Sequence, residues 1–437
     1  MILVRALSTR AARAAPPPLM AGMKVIELAN VLAGPTVCQF LAELGAEVIK
    51  IENTTTQGDV TRTWRLENDP DDSSVTAYFS CCNLGKQSVA LDLRDSRGLA
   101  AVHAMVQNAD VVVASYKPGD AEKLKVDYQT LSRLNPSLVY AQITGYGLDD
   151  ARAGYDAVIQ AESGFQFMNG EAAPAPPTKM PVALMDLLAA HQLKEGILAS
   201  MWQRERDGSG NFVSVSLMGA GVSALANQAT GYLKAEAIPQ RIGSDHPSIC
   251  PYGTVFECGD GGLITLAVGS DKQFANLCDV LGCPDVARDE RYQTNPARVQ
   301  HRENCKMMMR EMILKVDRPT LLKELRANSV PAGGVNNMAD VFAQKQAEDL
   351  VVRDEHGAPL GVRQVAFVNN SSGGSDNSGS GGSSGGSSGG SSGESITSVS
   401  LLPPPEYAEH TKEVLMQYLD EREVEELIEE GVVEQRR

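Results

Sequence analysis

The chain has 437 residues, of which 43% are hydrophobic and 22% are charged. This composition is that of a soluble globular protein long enough for two or three domains. The formal net charge of −16 excludes a general nucleic-acid-binding surface, because such a surface needs an excess of Lys and Arg to displace counterions from phosphates. Since the sequence contains no run of 18 uncharged apolar residues, it predicts no membrane-spanning helix.

The N-terminal residues 1–21 (MILVRALSTRAARAAPPPLMA) contain Arg5, Arg10 and Arg13 and no acidic residue. Arg-rich segments of this kind are typical of mitochondrial transit peptides, and the apolar stretches here are too short for a secretory signal. We therefore expect residues 1–21 to direct the protein to the mitochondrial matrix. A tail without function is the alternative.

Residues 22–232 alternate strand and helix patterns. The first such group runs from KVIEL (24–28) through the loop NVLAGP (30–35) and a helical stretch to EVIKIE (47–52). Strand patterns recur at QSVALDL, ADVVVASY, SLVYAQITGYG and NFVSVSL. This alternation predicts an α/β fold with a mostly parallel sheet covered by helices on both faces. The first loop lacks the GxGxxG pattern of common dinucleotide-binding proteins.

Asp186 is the single charged residue of the apolar segment PVALMDLL (181–188), which continues as a helical pattern. A carboxylate is ionised at neutral pH and is costly in apolar surroundings unless its charge is used or paired. Asp186 is therefore a candidate nucleophile. The alternative is a helix N-cap, whose side chain accepts hydrogen bonds from first-turn N–H groups. Spacing alone does not distinguish the two.

Beyond residue 232 the pattern changes. The segment CPYGTVFECGDGGLITLAVG (250–269) predicts a β-hairpin, and helical patterns begin near Asp271, Arg302 and Pro319. We therefore expect a smaller α+β domain over 233–330, flanked by a large domain made of 22–232 and 331–437. Residues 371–394 are almost entirely Ser and Gly, a composition that buries no apolar surface and predicts a disordered insertion.

The eight cysteines include no CxxC pair, and the six histidines do not lie at metal-ligand spacing from them. Cys278, Cys283 and Cys305 come nearest to a ligand set, but Cys278 falls on the apolar face of FANLCDVL. We predict reduced thiols and no metal site.

Together, the motifs NVLAGP, AEVIKIE, GDVTRTW, NLGKQSVALDL, ITGYG, RAGYDAV, MDLLAA and GSGNFVSVSL resemble those of the family III CoA transferases in order and spacing. The resemblance extends over residues 22–433 except for the Ser/Gly insertion. It implies a Rossmann-like large domain formed by both ends of the chain, a smaller domain between them, and an interlocked homodimer.

The resemblance also implies that Asp186 is the nucleophile of a CoA transfer reaction, which passes through an aspartyl anhydride and an aspartyl-CoA thioester. Coenzyme A is then a co-substrate, and no permanently bound cofactor is expected. The motifs DVTRTW, SDHPSICPY and VPAGGVNNM are most similar to those of members that use succinyl-CoA as donor and a dicarboxylate such as glutarate as acceptor.

By position in the family motifs, the resemblance implies a set of CoA contacts in and around the loops that follow the strands. These are Asn30, Val31, Leu32, Ala33, Leu91, Arg94, Ser115, Tyr116, Lys123, Leu124 and Leu217. Arg94 and Lys123 supply local positive charge for the phosphates of CoA in this interpretation, whereas ordinary surface charge is the alternative. Asn53 departs from the family pattern, which often has Arg after the VIKIE strand.

Three residues are candidates for contact with the substrate carboxylates: Arg62 (with Arg65 nearby), Tyr155 and His246. Tyr155 and Asp156 either border the site or form a packing pair at a strand end. His246 lies in RIGSDHPSICPY (241–252), where some family members have a glycine-rich lid, and a surface loop histidine is the alternative.

Two other functions stay open. The related α-methylacyl-CoA racemases share the fold but have His in the segment that contains Tyr155 here, and racemisation needs two acid–base groups. The missing His favours transfer. The second alternative is a non-catalytic protein that binds acyl-CoA.

Overall fold

The computed structural model describes residues 17–367 and 401–436. The predicted transit peptide lies outside the described residues except for its last five, and the Ser/Gly insertion 371–394 lies wholly outside them. The described chain divides into two compact units. The larger unit combines the residues up to Gly154 with Asp186–Ala220 and the residues from Leu350 onward, and the smaller unit combines Tyr155–Met185 with Gly221–Asp349.

These bounds differ from those predicted from the sequence. The alternation of strand and helix patterns assigns Tyr155–Met185 to the large domain, whereas this segment packs with the smaller unit. The smaller unit also extends to Asp349 and not to residue 330. The first difference arises from helical segments, because a helical pattern does not reveal which core the helix will cover. The second includes the short strand Ala332–Gly334, which pairs with the hairpin of the smaller unit.

The described strands were numbered in chain order. They are β1 (Lys24–Leu28), β2 (Glu47–Asn53), β3 (Lys86–Leu91), β4 (Val111–Ala114), β5 (Val139–Thr144), β6 (Asn211–Ser216), β7 (Tyr252–Glu257), β8 (Leu263–Ala267), β9 (Ala332–Gly334), β10 (Val351–Arg353), β11 (Pro359–Val362) and β12 (Val433–Glu434). The predicted strands at QSVALDL, ADVVVASY, SLVYAQITGYG and NFVSVSL are confirmed as β3 to β6.

The described helices were numbered in the same way. They are α1 (Ala33–Glu43), α2 (Ala77–Ser80), α3 (Ser96–Val106), α4 (Asp120–Lys123), α5 (Tyr128–Leu134), α6 (Asp156–Glu162), α7 (Phe165–Met168), α8 (Leu184–Asp207), α9 (Leu217–Ser223), α10 (Ala226–Ala235), α11 (Asp271–Val280), α12 (Asn295–Gln300), α13 (Arg302–Ile313), α14 (Arg318–Ala327), α15 (Met338–Phe342), α16 (Lys345–Glu348), α17 (Thr411–Leu415) and α18 (Glu421–Glu429). None of these helices has the length and apolar character needed to cross a bilayer.

The larger unit is built on one sheet with the strand order β12-β3-β2-β1-β4-β5-β6. Strands β1 to β6 are parallel, and β12 runs antiparallel to β3 at the edge. The short apolar strands are fully buried, as in β4, because helices cover both faces of a parallel sheet. The order 3-2-1-4-5-6 is that of the Rossmann fold, so the predicted α/β architecture is confirmed.

The smaller unit has a three-stranded antiparallel sheet, β7-β8-β9. The predicted hairpin is confirmed by the pairing of β7 with β8, and the predicted helices are α11, α13 and α14. Their apolar faces form a separate core that includes Phe256, Phe274, Leu277, Met309 and Leu325. Each unit therefore has a hydrophobic core of its own.

Candidate active site

The predicted CoA contacts collect at one edge of the large sheet. Because β1 to β6 are parallel, the loops after them all lie at the carboxyl edge, which is where open α/β sheets bind ligands. Residues 30–33 follow β1, Arg94 follows β3, Ser115 and Tyr116 follow β4, and Leu217 follows β6. The topology thus brings together residues that are up to 187 positions apart in the sequence.

The strand order reverses between β1 and β4, and the loops after these two strands are joined directly. The Asn30 N–H donates to Ser115 Oγ at 3.2 Å, and the Ser115 N–H donates to the Leu28 carbonyl at 3.4 Å. Such a reversal leaves a crevice at the carboxyl edge that suits a nucleotide-containing ligand. The two segments that the sequence places in contact with CoA therefore meet at this topological position.

Helix α1 begins directly in the first of these loops. Its N-cap is Leu32, and no side chain in the described ranges caps its first turn. A Cβ atom on Gly34 would lie 2.4 Å from Ala29 Cβ, so only glycine allows the helix to start this close to the strand. The uncapped N–H groups and the positive end of the helix dipole favour an anionic group of a ligand here.

Arg94 and Lys123 are exposed, as a phosphate ligand requires. Arg94 Nη2 lies 2.9 Å from Asp92 Oδ2, and Lys123 Nζ lies 2.8 Å from Asp120 Oδ1, with 61% and 76% of the two basic side chains exposed. The hydrogen bond from Arg94 lowers the pKa of Asp92. Exposed pairs of this kind are weak, so a phosphate can replace the carboxylate at little cost.

The apolar members of the predicted set have a different role. Leu91 and Leu217 are buried, so their side chains pack beneath the edge. Tyr116 is also shielded, and its burial raises the pKa of the phenol to about 12, which keeps it uncharged. Asn53 accepts the Thr55 N–H at 2.9 Å, so the residue found in place of the expected arginine caps a turn.

Asp186 lies in the first turn of α8, at the third residue of the helix. The N-cap alternative is therefore wrong, because the helix begins two residues earlier, at Leu184. Asp186 is partly buried. A carboxylate in the first turn still lies near the positive end of the helix dipole, which favours its ionised form.

The direction of α8 places Asp186 toward the carboxyl edge of the sheet. Near its other end, Arg204 Nη2 donates to Asp110 Oδ1 at 3.0 Å, and Asp110 directly precedes β4 at the amino edge. Asp186 is 18 residues before Arg204, a rise of about 27 Å along the helix. Because β5 has six residues and spans about 20 Å, the helix crosses the whole sheet.

The backbone directly before Asp186 is held by two side chains of α6. The Met185 N–H donates to Asp156 Oδ1 at 2.8 Å, and Gln160 Nε2 donates to Asp156 Oδ2 at 2.7 Å. Gln160 Oε1 accepts the Met180 N–H at 2.7 Å. Asp156 and Gln160 therefore fix the segment that leads into the first turn of α8.

Sequence reasoning missed this function of Asp156 and did not single out Gln160. A signal was present, because an acid and an amide four residues apart in YDAVIQ share one helix face. Tyr155 itself is 71% exposed at the start of α6, so it does not form the packing pair that was the alternative for it.

Arg62 does not fit the predicted contact with a substrate carboxylate. Its side chain is only 3% exposed, and Nε and Nη2 bind both oxygens of Glu52 at 2.9 and 2.6 Å. Nη1 donates to the Pro405 carbonyl at 3.0 Å. Since these donors are already used inside the protein, Arg62 connects β2 to the C-terminal segment. Arg65 is exposed and donates to the carbonyls of Pro70 and Ser73.

His246 lies in a loop that is held by hydrogen bonds at several points. Its Nδ1 accepts the Ser248 N–H at 3.1 Å, so the neutral ring carries its proton on Nε2 and can donate it. The side chains of Asn295 and Arg302 donate to the carbonyls of Ser248 and Ile249 at 2.9 and 3.3 Å. This loop is therefore a fixed element of the smaller unit and not a glycine-rich one. Over residues 17–367 and 401–436, no group of three His, Cys, Asp or Glu side chains is arranged to hold a metal ion.

A Rossmann-type strand order and a partly buried aspartate at a helix start fit an enzyme that binds a nucleotide-containing ligand at the carboxyl edge of its sheet. The chain belongs to CoA-transferase family III, whose sequence model matches residues 20–377. It is 40% identical to the succinate–glutarate CoA-transferase of Agrobacterium fabrum over 366 residues, which are 81% of this chain and 90% of that protein.

Two further comparisons agree with this assignment. The human succinyl-CoA:glutarate CoA-transferase is 31% identical over 421 residues, which cover 95% of this chain and 90% of the relative. The crystal structure of a CAIB/BAIF family protein from Brucella suis matches with a TM-score of 0.78 and 34% identity, and the match covers 92% of this chain and all of that one. The protein is thus a CoA-transferase.

Proposed function

We propose that the enzyme transfers CoA from succinyl-CoA to a dicarboxylate such as glutarate, with Asp186 as the nucleophile. The observation that carries this proposal is the position of Asp186 in the first turn of α8, which begins at the edge of the sheet where the predicted CoA contacts collect. The names of the similar transferases support succinyl-CoA and glutarate as substrates.

The reaction needs no external energy source, because one thioester and one carboxylate are exchanged for another pair. The Asp186 carboxylate attacks the succinyl-CoA carbonyl and expels the CoA thiolate, which gives a mixed anhydride. The thiolate then attacks the Asp186 carbonyl of that anhydride and releases succinate, leaving CoA on Asp186 as a thioester. The acceptor carboxylate repeats these two steps in reverse order, and Asp186 is regenerated.

The residues around the crevice have complementary roles in this proposal. The 30–33 loop and Ser115 hold the CoA moiety, whereas the exposed Arg94 and Lys123 bind its phosphates. The first-turn N–H groups of α8 offset the negative charge that develops beside Asp186. His246 and Tyr155 stay candidates for the distal carboxylate of the dicarboxylate. Arg62 is left out because Glu52 occupies its guanidinium.

Trapping of the covalent intermediate tests the proposal. The enzyme is incubated with succinyl-CoA and treated with hydroxylamine or borohydride, and the peptides are then examined by mass spectrometry. We expect a hydroxamate, or homoserine after borohydride, at Asp186 only. Asp186→Asn should lose both the adduct and the formation of glutaryl-CoA, whereas Asp207→Asn at the far end of α8 should retain both.

Two other results would contradict transfer. Exchange of an α-proton of an acyl-CoA with deuterated solvent, without an adduct, indicates racemase chemistry. Tight binding of acyl-CoA with neither exchange nor adduct indicates a non-catalytic binding protein. A panel of dicarboxylate acceptors then identifies the preferred acid.

We also propose that the enzyme works as an interlocked homodimer, as the family resemblance implies. Light scattering of the purified protein should give twice the mass of the chain. A stable monomer with full activity contradicts this part of the proposal.

Import into mitochondria is a separate part of the proposal and depends on the Arg-rich residues 1–21. A fluorescent protein fused behind these residues should enter mitochondria, and the same fusion with Arg5, Arg10 and Arg13 changed to Ala should not. Equal distribution of the two fusions contradicts import by this segment.

A further inference from the structure

A group of charged side chains lies inside the sheet directly below the first CoA loop. The buried charge cluster consists of Glu27, Lys50, Asp59 and Lys86, whose side chains are all fully buried. Glu27 and Lys50 are partners in the register of β1 and β2, and their ion pair is 2.8 Å long. Lys86 Nζ lies 2.7 Å from the other Glu27 oxygen. With two acids and two bases, the cluster has no net charge.

Asp59 connects this cluster to the loop. One of its oxygens lies 3.0 Å from Lys50 Nζ, and its two oxygens accept the Val31 N–H at 3.1 and 3.3 Å. The Thr61 N–H and hydroxyl donate to Asp59 Oδ1 at 3.0 and 2.9 Å. The orientation of the Asp59 carboxylate is therefore set from several sides.

Val31 has a backbone conformation that its side chain disfavours. Its φ angle is +73°, in the left-handed region, where a β-branched residue is a genuine outlier. Such a conformation persists only when the surrounding structure enforces it. Here Asp59 binds the N–H of Val31, and Cys82 Sγ donates to its carbonyl at 3.4 Å. Lys50 Nζ also donates to the Ala29 carbonyl at 2.8 Å, so both ends of the bend are held.

We propose that Asp59 is a positioning residue for the acyl-CoA site, which holds Val31 in the left-handed conformation and so directs Leu32 and Ala33 toward the ligand. The proposal rests on the proposed function, in which residues 30–33 contact CoA. Asp59 is buried and acts only through Val31. Without Asp59 the 30–33 loop is less ordered in the free protein. Part of the free energy of CoA binding is then used to order the loop, so binding is weaker.

Calorimetric titration with CoA tests this role independently of turnover. In Asp59→Asn one of the two acceptor oxygens becomes an NH2 group, which faces the Val31 N–H together with either the Thr61 donors or Lys50. We expect the Kd for CoA and the KM for succinyl-CoA to rise about tenfold, while kcat and the KM for the acceptor acid change less than about twofold. Glu43→Gln, which alters a buried carboxylate at the other end of α1, should leave the Kd unchanged.

A second substitution distinguishes positioning from simple stabilisation. Glycine adopts a φ of +73° without strain, so Val31→Gly should remove most of the need for Asp59. We expect Asp59→Asn to weaken CoA binding by about twofold or less in the Val31→Gly background. Thr61→Val is a milder probe that removes one hydrogen bond to Asp59, and it should raise the Kd about threefold if Asp59→Asn does not fold.

The outcomes separate this inference from the proposed function. If the wild-type protein binds CoA and Asp59→Asn and Thr61→Val bind it equally well, the positioning role is wrong and the proposed function stands. An equal loss from Asp59→Asn in the wild-type background and in the Val31→Gly background also overturns it. If the wild-type protein binds no CoA, both the proposed function and this inference fall.

Discussion

The two units bury polar side chains in different ways. In the larger unit, Glu27 on β1 forms ion pairs with Lys50 on β2 and with Lys86 on β3. In the smaller unit, the fully buried Arg298 binds two backbone carbonyls, with Nε donating to Cys250 at 2.8 Å and Nη1 to Tyr292 at 2.9 Å. Its Nη2 donates to the half-exposed carboxylate of Asp271 at 2.8 Å. The first arrangement pairs fully buried charges with one another, whereas the second satisfies one buried charge with two dipoles and an acid that is itself half exposed.

This difference predicts which substitutions of buried charged residues destabilise each unit most. A charge that has lost its buried partner is costly, because desolvation is no longer offset. Carbonyl groups that have lost a donor cost less, since each leaves only an unsatisfied dipole. The larger unit should therefore be the less tolerant of single changes at buried charged positions.

The largest effect is expected from Glu27→Gln. It leaves Lys86 buried without an acidic partner in the described structure, so the free energy of unfolding should fall by about 4 kcal/mol. Glu47→Gln on the adjacent strand is the matched control, because its pair with Lys24 is half exposed and 3.7 Å long. The control should change stability by less than about 0.5 kcal/mol in urea unfolding. Similar losses in both variants would contradict the comparison.

A smaller loss is expected from Arg298→Met. Methionine fills much of the same volume but leaves the Cys250 and Tyr292 carbonyls without their donor, which should cost about 3 kcal/mol. The loss of the pair with Asp271 should add little, because that carboxylate is 53% exposed and stays hydrated. Arg288→Met removes an arginine that is 78% exposed and should leave the urea midpoint unchanged. If Arg298→Met is more damaging than Glu27→Gln, the proposed order of sensitivity between the units is reversed.

Lys194 is the exception in the larger unit, and its replacement should stabilise the protein. Its Nζ is buried with no hydrogen-bond partner among the described residues and lies 4.9 Å from the Phe40 ring centroid. Burial lowers the pKa of Lys194 from 10.5 to about 8. Lys194→Met should raise the free energy of unfolding by about 2 kcal/mol at pH 7.

The lowered pKa of Lys194 determines how the stability gained by Lys194→Met depends on pH. Below pH 8 the amine is protonated in both folded and unfolded chains, so the folded protein bears the whole cost of a buried charge. As the pH rises from 8 toward 10.5, the folded protein loses this proton first, and the advantage of Lys194→Met should disappear. Lys323→Met, at an exposed position, should show no such trend. A constant difference across this range would contradict the assignment.

The smallest effect is expected from Arg94→Ala, which tests an exposed charge of the larger unit against its buried charges. Its pair with Asp92 contributes little to stability, so unfolding should be unchanged while the Kd for CoA rises about threefold. The loss should shrink as salt is added, because screening weakens the contact with a phosphate. Arg97→Ala, an exposed arginine paired with Asp95 and Glu430, should leave the Kd unchanged.

Much of the large sheet and the placement of the loops that are predicted to contact CoA follow from the sequence. Apolar strands such as VVVA are short, continuous and separated by helical patterns, which is enough to predict a parallel sheet. Motif order then places the loops after β1 and β4 at one edge. The start of α8 was harder, because the apolar residues Leu184 and Met185 extend the helix beyond the position where Asp186 would have capped it.

The buried charge cluster was not predicted, although each strand carries a signal. Glu27 and Lys50 are each flanked on both sides by apolar residues in the strands KVIEL and EVIKIE, and a buried strand tolerates such a charge only beside its opposite. Their pairing depends on strand order and register, which the sequence does not specify. Arg62 shows the same limit of sequence-based prediction. Its neighbours in the sequence do not indicate that its guanidinium is bound by Glu52 on β2.

The position of helix α8 at the boundary between the two units limits how the gene can be recombined. The boundary between the two units falls inside its first turn, between Met185 and Asp186, and the chain passes from one unit to the other at four places. Neither unit corresponds to one continuous stretch of coding sequence. Recombination that exchanges a whole unit must therefore cut and rejoin the gene at several points, one of them beside the codon for Asp186. New acceptor specificities should be easier to obtain by single codon changes than by exchange of modules.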